Sequence, residues 1–164
     1  MPIIDLQIIV RAPIERVFDL NRSVDLHAGS MRHTGERAVA GVMSGLLRLH
    51  DEVTWEAVHL GVRQRLTTRI VELERPKHFR DSMIAGAFRR FDHDHDFSTI
   101  DTGTQVTERF DFDSPLGPLG RVVDALYLTR YMRALLEARL KFIREVAESD
   151  TWTKYLRADQ VSGL

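Results

Sequence analysis

The chain has 164 residues, 43% of them hydrophobic and 29% charged, which is the size and composition of one globular domain with a substantial core. Its 23 Lys and Arg are offset by 24 Asp and Glu, so no basic field exists to hold a nucleic-acid backbone, and nucleic acid is not expected as a partner. The lack of cysteine removes disulfides, thiolate catalysis and cysteine-zinc sites, and with no membrane span or cleavable leader visible, a cytoplasmic protein is expected.

Ile3 to Val10 alternates Ile4, Leu6 and Ile8 against Ile3, Asp5 and Gln7, which predicts a first strand. Two short helices follow. One runs from Pro13 to Leu20, with Val17, Phe18 and Leu20 as its apolar residues; the other is capped by Ser23, carries Val24 and Leu26, and ends at Gly29. From Thr34 to Asp113 the period changes to two. Arg37 to Val42 is a weak strand, and the Gly41 to Gly45 stretch is a turning connection. Asp51 to His59 puts Val53, Trp55 and Ala57 on one face, and Val62 to Leu73 puts Gln64, Leu66, Thr68 and Ile70 on one face. Phe79, Asp81 and Met83 alternate before a turn at Ala85 to Ala87, and Phe91, His93, His95 and Phe97 alternate against Asp92, Asp94 and Asp96. Asp101-Thr102-Gly103 is a hairpin signal leading into Gln105 to Asp113, with Val106, Glu108, Phe110 and Phe112 on one face.

Leu116 to Glu148 is read as helical, opened by Pro115 and Pro118 with Ser114 as cap. Leu119, Val122, Val123 and Leu126 form one apolar arc, while Tyr131, Met132, Leu135, Leu136, Phe142, Ile143 and Val146 form another, pointing roughly the opposite way. A bend at Tyr127 to Arg130 is therefore expected, giving a short lead-in helix and a long one. No repeat or linker marks a second domain, so one domain over residues 1 to 148 and an extension over 149 to 164 are expected. Consecutive strands joined by tight turns form an antiparallel meander whose inner face the long helix must cover: an α+β fold with a curved sheet of six to seven strands around a C-terminal helix.

Three segments carry a family resemblance: Ala12 to Asp19 (APIERVFD), Phe88 to Phe97 (FRRFDHDHDF) and Phe112 to Gly120 (FDSPLGPLG). With the order of elements, they resemble the START/Bet v1-like (SRPBCC, helix-grip) superfamily, in particular its bacterial polyketide cyclase/dehydrase-like branch, over about residues 1 to 148. The resemblance implies a helix-grip fold with a cavity between sheet and terminal helix. This fold hosts carriers, sensors and enzymes alike.

The Asp92 to Asp96 stretch looks like a metal site, but on a strand His93 and His95 share one face and the aspartates the other. A metal centre would need another ligand, such as Glu108; no metal is expected. Register from the Asp101 to Gly103 turn places His95 opposite Glu108 and His93 opposite Phe110, and the Ala85 to Ala87 turn places Asp81 near Phe91 with His93 one step along. Asp81, His93, His95 and Glu108 therefore cluster on the inner wall, facing Arg139, a lone cation in the apolar arc of the long helix. A buried cation facing carboxylates is either a structural or ligand-orienting ion pair or a general acid/base set, so these four are the catalytic candidates as well. Trp55, Leu66, Thr68, Met83, Phe91, Phe110, Tyr131, Met132 and Leu135 complete the cavity that the fold resemblance implies, the alternative being plain core packing.

Arg63, Arg65 and Arg69 read as a solvated outer face. No GxSxG, GxGxxG or phosphate-loop motif occurs, so no cofactor is expected. Trp152, Tyr155 and Leu156 at helical spacing suggest docking on the protein's own sheet or on a second copy, as in a homodimer. Two functions follow: binding of a small hydrophobic or amphipathic ligand (lipid, quinone, polyketide or aromatic metabolite), or a cyclase/dehydrase-like enzyme using the His/carboxylate set. A role in protein interaction alone is a distant third.

Overall fold

The structure is a computed structural model that describes residues 2–59, 61–113 and 127–156. Period-two patterning resolves into seven strands: β1 (Ile3–Val10), β2 (Arg37–Gly41), β3 (Glu52–His59), β4 (Val62–Glu74), β5 (His78–Ala85), β6 (Arg90–Ile100) and β7 (Gly103–Asp113). They form one antiparallel sheet in the order β1-β7-β6-β5-β4-β3-β2, a meander from β2 to β7 with β1 returning beside β7. Bulges between β2 and β3 and between β4 and β5 break the ladder, and such breaks bend a sheet locally. At the β6–β7 hairpin Gly103 adopts a φ of 140°, where a Cβ would collide with the carbonyl of Val10; only glycine fits.

Between β1 and β2 lie α1 (Ile14–Asn21) and α2 (Val24–Ser30). The Ser23 hydroxyl accepts the Leu26 N–H at 3.3 Å and caps α2. Gly29 does not end this helix as expected: the Met31 N–H still reaches the His27 carbonyl at 3.2 Å, so the last turn continues to Ser30. Phe18 of α1 is fully buried, its ring edge-on to Phe79 and Phe97 at 5.6 and 5.1 Å. Its neighbour Asp19 is also fully buried, held by Arg22 at 2.7 Å and Arg75 at 2.9 Å.

The long helix, α3 (Thr129–Ala147), begins within the expected bend. The expected lead-in helix and its Ser114 cap fall on residues 114–126, outside the described residues. Leu135, Leu136, Arg139, Leu140, Ile143 and Val146 of α3 are buried, the apolar arc with Arg139 inside it. No helix among the described residues is long and apolar enough to cross a membrane.

After α3 the chain makes a short 3-10 turn, Asp150–Lys154, which lies against α3. The Arg16 guanidinium of α1 stacks over the Trp152 ring at 4.4 Å, and Leu156 is buried in the core. The tail aromatics thus dock on the chain's own helices rather than on its sheet.

Candidate functional site

Inward-facing residues of β3 to β7 and one face of α3 enclose a cavity of about 360 Å³. Exposure of its lining falls along both partners: from Gln64 to Ile70 on β4, and from Tyr127, 55% exposed and just before α3, to Arg139, 4% exposed, on α3. The mouth therefore lies at the β3–β4 hairpin and the start of α3, and the floor at Arg139. Trp55, Leu66, Thr68, Phe91, His93, His95, Phe110, Tyr131, Met132, Leu135 and Arg139 all line it, as does Asp81.

Two residues expected on the wall are elsewhere. Met83 lies with Leu66 beside Gly86, near the end of β5, and does not line the cavity. Glu108 sits behind the histidines, fully buried.

His95 stands opposite Glu108 and His93 opposite Phe110, as the hairpin signal predicts. The β5–β6 register differs: Asp81 pairs with His93, and Phe79 with His95, two residues away from the expected register. The connection runs from Gly86 to Arg89 and is longer than the expected turn, and a slip of two residues keeps every side chain on its face. Asp81 is consequently in direct contact with both histidines. His95 Nε2 lies 3.0 Å from Asp81 Oδ1, and His95 Nδ1 lies 3.0 Å from Glu108 Oε1. Arg139 Nη1 donates to the same Glu108 oxygen at 2.8 Å, and Arg139 Nη2 donates to the Asn21 carbonyl at 2.9 Å. His93 is looser: its Nδ1 is 3.8 Å from Asp81, and its Nε2 faces Glu108 Oε2 at 3.4 Å without hydrogen-bond geometry, leaving both buried atoms unpartnered.

Electrostatics follow from this packing. Burial opposes ionisation of Glu108, but the Arg139 charge and then His95 outweigh it and hold the carboxyl well below its usual range. Burial likewise opposes a charge on His95, yet the Glu108 charge and hydrogen bonds to Asp81 and Glu108 raise its pKa. In His93 burial wins, helped by the charge of His95, and its pKa is lowered. Asp81 is raised by burial but lowered more by its hydrogen bond to His95 and the charges around it. Arg139 against Glu108, and His95 with its raised pKa between Glu108 and Asp81, set positive charge beside negative, which is how this much charge is tolerated at the floor of an apolar cavity.

Sequence reasoning missed a second polar group on the cavity wall. His27 of α2 stacks on Trp55 at 4.2 Å and meets Glu36 at 3.2 Å, while His59 Nδ1 meets the Tyr131 hydroxyl at 2.8 Å across the mouth. Burial opposes ionisation of Glu36, but the His27 charge and hydrogen bond bring its pKa below normal. His27 stands three residues from Val24 on α2, the helical spacing that could have found it. Phe79 and Phe88 were also missed; Phe79 stacks on His95 at 4.1 Å, and Phe88 meets Phe91, Phe110 and Phe112 edge-on. On the outer face, Arg65 pairs with Glu56 and Arg69 with Glu52, the aspartates of β6 pair with Arg80, Arg90 and His78, and no metal cluster forms there among the described residues.

The fold is shared with solved structures of low sequence similarity. TTHA0849 from Thermus thermophilus aligns at a TM-score of 0.72 and 20% identity, over 88% of this chain and 95% of that one. SA2116 from Staphylococcus aureus, a protein of unknown function, aligns at 0.70 and 11%, over 92% and 95%. Major latex-like protein 151 from Panax ginseng aligns at 0.65 and 13%, over 89% and 97%. At these identities the likeness shows the Bet v1-like helix-grip fold alone. No curated protein is similar enough in sequence to match. The family model described as polyketide cyclase / dehydrase and lipid transport matches residues 1–148, all seven strands and α3 included, and the chain belongs to that family, within the SRPBCC superfamily.

Proposed function

We propose that the protein is a cytoplasmic binding protein that takes up a small amphipathic molecule (a lipid, quinone, polyketide or aromatic metabolite) with its oily body along the cavity and its polar end at the floor. Membership of a family described by polyketide cyclisation, dehydration and lipid transport supports hydrophobic ligand binding in general. The observation that carries the finer reading is the gradient within the cavity. Apolar walls from Trp55, Leu66, Phe91, Phe110 and Leu135 lead to a floor where Asp81, His95 and Arg139 present polar groups. About 360 Å³ is at the lower end of the range for small-molecule sites, which combine an apolar lining with a few orienting polar groups.

Thr68 lines the cavity and is itself buried, so Thr68→Trp puts an indole into the guest's space. Displacement of a naphthalenesulfonate dye by a series of fatty acids and polycyclic aromatics measures the effect. The wild type should bind at least one series saturably, and Thr68→Trp should weaken that binding by at least about tenfold, equivalent to about 1.4 kcal/mol. No saturable binding by the wild type, or equal affinity in a folded variant, rules the reading out.

A second reading, a cyclase/dehydrase-like enzyme, is favoured by one contact: His95 Nε2 and Asp81 meet on the cavity wall within reach of a guest's polar end. On that reading Asp81→Asn lowers turnover of an identified guest by about 100-fold or more while its binding persists. Unchanged turnover removes the acid/base assignment.

A further inference from the structure

The cluster at the cavity floor has a property that neither reading uses. Asp81, His93 and His95 each offer one donor atom, and the three atoms lie within 4.8 Å of one another. Two of the separations are 3.0 Å (Asp81 Oδ1 to His95 Nε2) and 3.8 Å (Asp81 Oδ1 to His93 Nδ1). The edge of a tetrahedron with metal–ligand bonds near 2.0 to 2.1 Å is about 3.3 Å, between those two values. All three residues line the cavity, so a fourth coordination position opens onto the space meant for a guest.

The rear of the cluster is organised as a metal site's supporting shell would be. The imidazole nitrogens that face away from Asp81, His95 Nδ1 and His93 Nε2, both look at the single carboxylate of Glu108, at 3.0 and 3.4 Å. Arg139 fixes that carboxylate from the other side at 2.8 Å. A metal-bound histidine donates its remaining N–H to such a partner, which sets its tautomer and aims its lone pair. Among the buried side-chain atoms without a hydrogen-bond partner, which also include Asn21 Oδ1 and Arg139 Nε, His93 Nε2 and Glu108 Oε2 are the pair that a metal-bound His93 would join. The sequence alone leads to no metal being expected, with Glu108 only an example of the further ligand a centre would need; the β5–β6 register brings Asp81 beside the histidines instead.

We infer that Asp81, His93 and His95 form a binding site for one divalent transition-metal ion, zinc or ferrous iron by ligand type, whose open position takes an oxygen of the guest's polar end. Two imidazoles and one carboxylate with an open position suit those ions and not calcium or magnesium, which take oxygen ligands. Metal binding by the three side chains stands independently of the proposed guest; only the oxygen contact rests on that reading.

The test is titration of chelator-treated full-length protein with Zn²⁺ by calorimetry and with Co²⁺ by visible absorption. One ion per chain should bind at micromolar affinity or tighter, with the intense Co²⁺ bands of a four- or five-coordinate nitrogen and oxygen site. Asp81→Asn and His93→Ala should each weaken binding by more than about 100-fold, and Glu108→Gln by about 10- to 100-fold. His78→Ala should leave it unchanged, because His78 belongs to a separate surface group with Glu72 and Asp96. Asp81 is partly exposed, so its variant serves if His93→Ala fails to fold. Absence of one-to-one binding, weak octahedral Co²⁺ bands, or affinity insensitive to Asp81→Asn overturns the inference. Dye displacement by apolar guests, run on the same chelator-treated protein, reads the cavity separately, so loss of the metal site and loss of guest uptake are told apart.

Discussion

Replacing Arg139 by methionine is expected to destabilise the protein by about 3–5 kcal/mol, because Glu108 then keeps a buried charge with its principal cation removed. Glu108 is fully buried behind the histidines and Arg139 is 4% exposed, so the carboxylate that loses its cation has no exposed surface of its own. For a chain of this length each kcal/mol moves the melting temperature by about 2–4 °C, so a fall of roughly 6–20 °C should be seen by calorimetry at neutral pH. The double variant Arg139→Met/Glu108→Leu should recover more than half of the loss, since exchanging a whole buried ion pair for apolar side chains is often neutral.

The pH dependence carries a sign. Glu108 in the wild type has a depressed pKa, so its contribution is present above the unfolded-state value and is lost as pH falls through the folded one. In Arg139→Met the carboxyl takes up a proton more readily, and the gap between variant and wild type should narrow from pH 7 toward pH 4. A melting temperature within about 3 °C of wild type at pH 7 would show that Arg139 does not compensate a buried charge.

Phe18→Ala should cost about 3–5 kcal/mol, the range for emptying a well-packed aromatic site. Phe18 is fully buried, and its ring bridges α1 to Phe79 of β5 and Phe97 of β6. The loss reaches the candidate site as well, because Phe79 stacks on His95 with an interplanar angle of 14°. With Phe18 gone Phe79 loses a ring that it packs against, so dye displacement should weaken along with stability. Phe18→Leu keeps most of the apolar volume and should cost much less, about 1–1.5 kcal/mol. Urea unfolding provides the check: the midpoint should fall with its slope unchanged. A loss below about 1 kcal/mol for the alanine variant would mean that α1 settles into the vacated space.

Much of this architecture was legible in the residues because its determinants are local. Alternation in Phe91, His93, His95 and Phe97 assigns them to the inner face whatever the sheet does. The tight turn at Asp101 to Gly103 sets the β6–β7 pairing, and with it His95 opposite Glu108. Arg139 could be picked out because a cation in an apolar helical arc must find a carboxylate. The family resemblance supplied the rest: that the helix covers the sheet and leaves room beneath it.

Other features depended on contacts that no local rule specifies. The turn read at Ala85 to Ala87 is part of a longer connection, Gly86 to Arg89, whose length no local signal gives, so the expected β5–β6 register is two residues off and sets Asp81 beside Phe91 instead of His93. Phe88 reads as a loop residue, yet its ring meets Phe91, Phe110 and Phe112. His27 enters the cavity wall because α2 brings it onto Trp55 of β3, and Glu36 because the segment before β2 meets His27 there. The sequence by itself determined which side chains face inward, since that follows from a period of two or 3.6 residues along one segment. Beyond the β6–β7 hairpin, tertiary structure decided which of them touch, because the approach of α3 and β5 to the cluster is set by the packing of distant segments against one another.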